Sequence, residues 1–225
     1  MSLRIIAGVY GSRVLESVRG LGTRPLLGQV KESIFNILQD HVPGAFVWDL
    51  FAGTGATGIE ALSRGAARVL FCEKNGRALD ILRRNLRTLG PEAMAAGVVL
   101  RTDAWSPPVM HRAAFGAARE DAAPDAESDA EVAPDLIFLD PPYALVAEDP
   151  AKAVGRARAL SQRLAPGGCV VFHFETGLLD ADDFDADFEV DLREWGASAI
   201  AFLWRTGEAP ERVRRRRERA EADPA

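Results

Sequence analysis

Alternating strand and helix patterns predict an α/β fold, a doubly wound and mostly parallel sheet with an antiparallel last strand, preceded by an N-terminal hairpin and helix. Three observations carry this. The run FVWDLF (46–51) ends in a glycine-rich turn, Ala52-Gly53-Thr54-Gly55-Ala56-Thr57-Gly58, and passes into the helical IEALSRG. The apolar runs RVLFCE (68–73), VVLR (98–101), DLIFLD (135–140) and CVVFHF (169–174) recur between helical stretches, as buried parallel strands do. DFEVDLREW (187–195) and SAIAFLWR (198–205) read as two further antiparallel strands joined near Gly196.

Taken in order, residues 3–18 form two partly alternating runs around Gly11-Ser12, which predicts a hairpin. RGLGTRP (19–25) is a basic connection. Val30, Ile34, Ile37 and Leu38 have helical spacing over about 28–41, and Pro43-Gly44 stops that helix. A helix over 57–63 follows the glycine loop, with Gly65 as its stop. Asn75 caps a helix over 76–89 whose Leu79, Leu82, Leu86 and Leu89 share a face, and Gly90-Pro91 ends it. Residues 106–133 are rich in Ala, Pro and acids and predict a surface insertion. A helix over 149–164 and a Pro166-Gly167-Gly168 turn lead into the fifth strand. The expected organisation is an N-terminal extension (1–44), a catalytic domain (45–206) and a charged tail (207–225).

The chain of 225 residues is long enough for a full core. It has no apolar run long enough to span a membrane and no basic-then-apolar leader, so a cytoplasmic protein is expected. Cys72 and Cys169 fall in separate strands and read as buried thiols of a reducing compartment, and no Cys/His cluster has metal-ligand spacing. The net charge of −6 is concentrated: residues 119–135 carry seven acids and one base and account for all of it. Residues 1–44, with Arg4, Arg13, Arg19, Arg24 and Lys31 against three acids, are mildly basic. An acidic total therefore does not exclude a nucleic-acid partner. The arginine-rich run Arg214 to Arg217 reads as a solvated tail or a secondary nucleic-acid contact.

Gly53, Gly55 and Gly58 satisfy the G-x-G-x-x-G pattern that lets a cofactor approach backbone at a helix start. Asp49, at the end of the first strand of that unit, opposes a pyrophosphate by like charge but suits the ammonium and sulfonium of S-adenosylmethionine. Glu73, ending the next strand, can accept from both ribose hydroxyls. A nucleotide-dependent oxidoreductase is disfavoured by Asp49 and by the lack of hydride-transfer residues. Asp49, Glu73, Asp103 and Asp140 all lie at or just after strand carboxyl ends, where ligands of doubly wound sheets bind.

Asp140-Pro141-Pro142-Tyr143 closes the fourth strand of the sheet. Two prolines present no N–H, so the Asp140 carboxylate and the Asp140 and Pro141 carbonyls are acceptors, and Tyr143 offers a face for a base. Acceptors on an exocyclic amine localise its lone pair and aim it at an electrophilic methyl.

These residues, with RIIAG (4–8), TRP (23–25), VKESIFNIL (30–38), DLFAGTGATGIEALSRGA (49–66), FCEKN (71–75), RRNL (83–86), LAPGG (164–168) and WGASAIAFL (195–203), make the chain similar to the RsmD family. That family comprises Rossmann-like class I methyltransferases acting on guanine N2 of bacterial 16S rRNA. The likeness spans residues 3–205. It implies S-adenosylmethionine held by Asp49, Phe51, Ala52, Gly53, Gly55, Glu73, Lys74 and Asp103. It implies catalysis by Asp140, Pro141, Pro142 and Tyr143, and RNA contact through Arg4, Arg13 and Arg24. The partner it implies is 16S rRNA or the small ribosomal subunit, met by a monomer without a metal. Departures are Leu26-Leu27-Gly28-Gln29 where a polar Thr-Asp pair is usual, Trp195 in place of a Tyr, the long insertion and the extra tail. His173 reads as a buried structural histidine. Adenine-N6 methylation of RNA or DNA, and a non-catalytic RNA-binding assembly factor, are the alternatives.

Overall fold

The structure, a computed structural model, describes residues 3–18, 28–111, 131–184, 188–211 and 213. Arg24, the rest of the TRP segment, most of the acidic insertion and Arg214 to Arg217 lie outside the described residues. The strands are β1 (Leu3–Arg4), β2 (Val14–Leu15), β3 (Phe46–Leu50), β4 (Arg68–Glu73), β5 (Gly97–Arg101), β6 (Leu136–Leu139), β7 (Cys169–Glu175), β8 (Phe188–Trp195) and β9 (Ser198–Arg205). The helices are α1 (Gly28–Ile37), α2 (Ala56–Ser63), α3 (Gly76–Leu89), α4 (Pro91–Ala96), α5 (Tyr143–Glu148) and α6 (Pro150–Ser161). β1 and β2 pair as a hairpin, and the other strands form a seven-stranded sheet in the order β5-β4-β3-β6-β7-β9-β8. β3, β4 and β5 run parallel, whereas β9 runs antiparallel to both β7 and β8. The doubly wound mixed sheet is the predicted one.

The chain divides into two compact units, residues 1–138 and 139–225. In the first, β3 is buried along its whole length, as its near-continuous apolar run requires, Asp49 included. α3 starts and stops where the sequence marks it: Asn75 Oδ1 accepts from the N–H groups of Arg77 and Ala78, and Leu79, Leu82, Leu86 and Leu89 are buried. Gly58 has no room for a side chain. A Cβ there would stand 2.3 Å from Phe71, 2.8 Å from Val69 and 2.9 Å from Asp49. α2 can therefore press onto β3 and β4 only with glycine at this position.

The hairpin is docked on α2 by polar anchors. Glu60, fully buried, accepts from the N–H groups of Ile6 (2.8 Å) and Ala7 (3.1 Å) and pairs with Lys31 (3.0 Å) and Arg64 (2.8 Å). Ser63 accepts at its hydroxyl from Tyr10 N–H and at its carbonyl from Val9 N–H. Asn85 on α3 receives the chain after β2, accepting from Glu16 N–H and donating to the carbonyls of Glu16 and Thr54. The described ends of the acidic insertion are tied together by a bridge between His111 and Glu131 and by Val132 N–H to Met110 O at 2.8 Å.

One helix expectation is corrected, and two short helices are added. α1 stops at Ile37 instead of reaching 41, and the chain turns at Leu38, whose carbonyl accepts from Val42. Pro43 disfavours a helical Val42, so the chain cannot run on as helix past that turn. Gly90-Pro91 not only ends α3 but opens α4, because proline fits the first position of a helix, where no N–H is needed. The helix expected over 149–164 is α6, and a further short helix, α5, precedes it: Tyr143 begins α5, and Asp149, extended at φ −153, separates the two and caps α6 by accepting from Lys152 N–H.

In the second unit β9 is buried from Ser198 to Trp204 between its two antiparallel neighbours. Phe172, Phe174 and Phe184 pack as one aromatic cluster. Among the described residues no helix is long and apolar enough to cross a membrane.

Candidate active site

The first unit gathers the glycine loop and its acids. Asp49 is buried, and its Oδ2 accepts from Gly58 N–H at 2.8 Å, so the carboxylate meets the N-terminal turn of α2. Glu73 ends β4 and organises the loop beside it. Its Oε2 accepts from Gly53 N–H at 2.8 Å, and its Oε1 accepts from the N–H groups of Lys74 and Asn75 at 2.7 Å. The Lys74 carbonyl in turn accepts from Arg101 Nε. Phe51 takes a left-handed conformation at φ 62, which turns the chain out of β3, and its ring meets Trp105 edge-on at 5.1 Å. Asp103, exposed just after β5, accepts from Trp105 N–H at 3.0 Å. The loop glycines have separate tasks. Gly55, at φ 86, faces Leu82 so closely that a Cβ would stand 2.1 Å from it, whereas a Cβ on Gly53 would meet nothing nearer than Phe51 O at 4.0 Å.

This set fits S-adenosylmethionine. Carboxylate oxygens of Asp49, Glu73 and Asp103 retain acceptor capacity for cationic and hydroxyl groups, the space at Gly53 leaves backbone approachable, and Phe51 with Trp105 supplies aromatic surface. Among the described residues no cluster of three or more His, Cys, Asp or Glu is arranged to hold a metal ion.

The second unit holds the Asp140-Pro-Pro-Tyr segment. Asp140 follows the buried β6 with its side chain about one-third exposed, at 32%. Pro141 is buried, and Pro142 precedes α5 at φ −52 and ψ 133. Sequence reasoning missed what joins these residues. His173 Nδ1 lies 2.6 Å from Asp140 Oδ1, its Nε2 lies 2.8 Å from the Tyr143 hydroxyl, and that hydroxyl lies 3.0 Å from Ser198 Oγ. The His173 and Tyr143 rings meet edge-on at 5.2 Å.

Sequence reasoning also missed Lys31 and Glu60. The signal was present in IEALS, where one acid interrupts an otherwise buried helix start. Burial opposes the Glu60 charge, but the Lys31 ammonium, the Ile6 N–H and Arg64 outweigh it and hold its pKa below the ordinary carboxylate range. Burial draws the Lys31 ammonium below its ordinary value against the pull of Glu60. Arg4 and Arg13 lie exposed on the hairpin: Arg4 donates to Ser12 O, and Arg13 stands over the Tyr10 ring at 5.4 Å.

Comparison with known proteins bears on the chemistry. The model of the family described as conserved hypothetical protein 95 matches residues 3–204. A Bacillus subtilis protein named as the rRNA methyltransferase YlbH is 39% identical over 141 residues, covering 63% of this chain and 67% of that protein. Ribosomal RNA small subunit methyltransferase D of Haemophilus influenzae is 39% identical over 97 residues, 43% of this chain, and the match spans half (50%) of that relative. The solved Escherichia coli structure named as the methyltransferase yhhF shares the fold at a TM-score of 0.66 and 23% identity, covering 91% of this chain and 98% of that one. The chain belongs to the family described as conserved hypothetical protein 95, the RsmD family of class I methyltransferases.

Proposed function

We propose that the protein transfers a methyl group from S-adenosylmethionine to the exocyclic N2 amine of a guanine in small-subunit (16S) ribosomal RNA. Family membership supports the reaction class, and the names of the relatives support ribosomal RNA as substrate. The observation that carries the reading is Asp140, an accessible carboxylate at the end of a buried strand, followed by two prolines that offer no competing N–H.

In this reading the Asp140 carboxylate and the Pro141 carbonyl accept from the amine hydrogens. They draw the nitrogen lone pair out of conjugation and hold it on line. Pro142 fixes the backbone, and Tyr143 packs against the base. Asp49, Phe51, Ala52, Gly53, Gly55, Glu73, Lys74 and Asp103 hold S-adenosylmethionine, which supplies an electrophilic methyl when bound. The methylated amine releases a proton to water, so no strong base is needed. Arg4 and Arg13, with Arg24, contact phosphates and give binding that weakens with salt.

Asp140→Ala is the test. Single-turnover methyl transfer at saturating S-adenosylmethionine should fall by roughly two to three orders of magnitude, the loss expected for one preorganised polar group, with cofactor affinity near wild type. A folded variant that keeps the wild-type rate removes Asp140 from the chemistry.

A further inference from the structure

We infer that His173 is a positioning residue for methyl transfer, fixing the Asp140 carboxylate and the Tyr143 phenol in one hydrogen-bonded array that ends at Ser198. This rests on the reading of Asp140 and Tyr143 given above. Four elements supply the array: the end of β6, the first residue of α5, the middle of β7 and the first residue of β9. His173 is 5% exposed, faces Ile200 across the β7–β9 register, and has polar partners on both ring nitrogens. Packing alone would not place an imidazole here, since an apolar residue fills such a position without polar atoms to satisfy.

The donors and acceptors order themselves in one direction. A carboxylate only accepts, so the ring proton is on Nδ1 and is donated to Asp140 Oδ1 at 2.6 Å. In the neutral ring Nε2 is then an acceptor, and the Tyr143 hydroxyl donates to it at 2.8 Å. The phenolic oxygen in turn accepts from Ser198 Oγ at 3.0 Å. Ser198 is itself fixed by pairing with Glu175 and Trp195 on its two neighbouring strands. With Oδ1 held by the ring, the free torsion of Asp140 is removed and Oδ2 has one direction. The same ring fixes the pose of Tyr143. One histidine thus couples the group that aims the amine to the group that packs against the base, by position and without contact with either substrate.

Two isosteres separate the two edges of the ring. In His173→Asn the amide N–H reproduces the Nδ1 edge, and in His173→Gln the amide oxygen reproduces the Nε2 edge. His173→Gln should lower kcat on the order of 100-fold with KM for RNA near wild type, because a misaimed carboxylate costs rate. His173→Asn should keep kcat within about threefold and raise KM for RNA, and Tyr143→Phe should do the same. Histidine 15N spectra of the wild type read the array without turnover. His173 should be the Nδ1–H tautomer, and Asp140→Asn should shift its Nδ1 resonance. Equal kcat losses in folded His173→Asn and His173→Gln, or an Nε2–H tautomer, overturn the positioning role. A wild-type protein that transfers no methyl to small-subunit RNA overturns the functional reading itself, and the positioning role with it.

Discussion

Glu60 shows how much one residue can carry. It accepts from two hairpin N–H groups and from two cations while fully buried, so its charge is what joins the hairpin, α1 and α2. Its pKa is lower in the folded protein than in the unfolded chain. The stability it contributes is therefore complete above the unfolded value, about 4.3 for Glu, and is lost as pH falls through the folded value. Glu60→Gln leaves Lys31 buried beside a neutral amide and should cost on the order of 3–5 kcal/mol at neutral pH. Melts of wild type and variant from neutral to strongly acidic pH should show that gap narrow as the wild-type carboxylate protonates. A gap that stays constant would mean that Glu60 is not ionised in the folded state. The partners of Glu60 were not legible in the sequence, and neither were those of His173. Lys31 and Glu60, or Asp140 and His173, are about thirty positions apart and share no periodic pattern, so only the tertiary fold brings them together.

At the scale of elements the sequence was more informative, for physical reasons. β4 and α3 lie where residues 68–73 and 76–89 place them, because one is an unbroken apolar run and the other has four leucines on one face and an Asn cap. α4 and α5 were not legible: six residues are too few to show a helical period, and each begins at or just after a proline that reads locally as a stop. The insertion expected over 106–133 from composition lies mostly outside the described residues, and its described ends are paired. Pro107 and Met110 are buried, and His111 and Glu131 are paired, so the segment that can be exchanged is 112–130. Loop-closure entropy changes slowly with length, so a short polar linker there should alter stability by less than about 1 kcal/mol. Melting curves of the linker variant with and without S-adenosylhomocysteine check this. Loss of cooperative unfolding would show that 112–130 contributes to the core.

For the whole molecule, the charge distribution leaves room for the proposed RNA partner, which the net charge alone argues against. The −6 is concentrated in one segment, while the hairpin exposes Arg4 and Arg13. The glycine loop with Glu73 suits a methyl donor with ribose hydroxyls, and Asp140-Pro-Pro-Tyr suits an exocyclic amine. The most direct test of the central claim is to incubate the protein with methyl-labelled S-adenosylmethionine and small-subunit ribosomal RNA, free and in assembled particles, and to identify the labelled nucleoside by mass spectrometry. N2-methylguanosine at a single position is the expected product. N6-methyladenosine, or no incorporation into either form of the RNA, would contradict it.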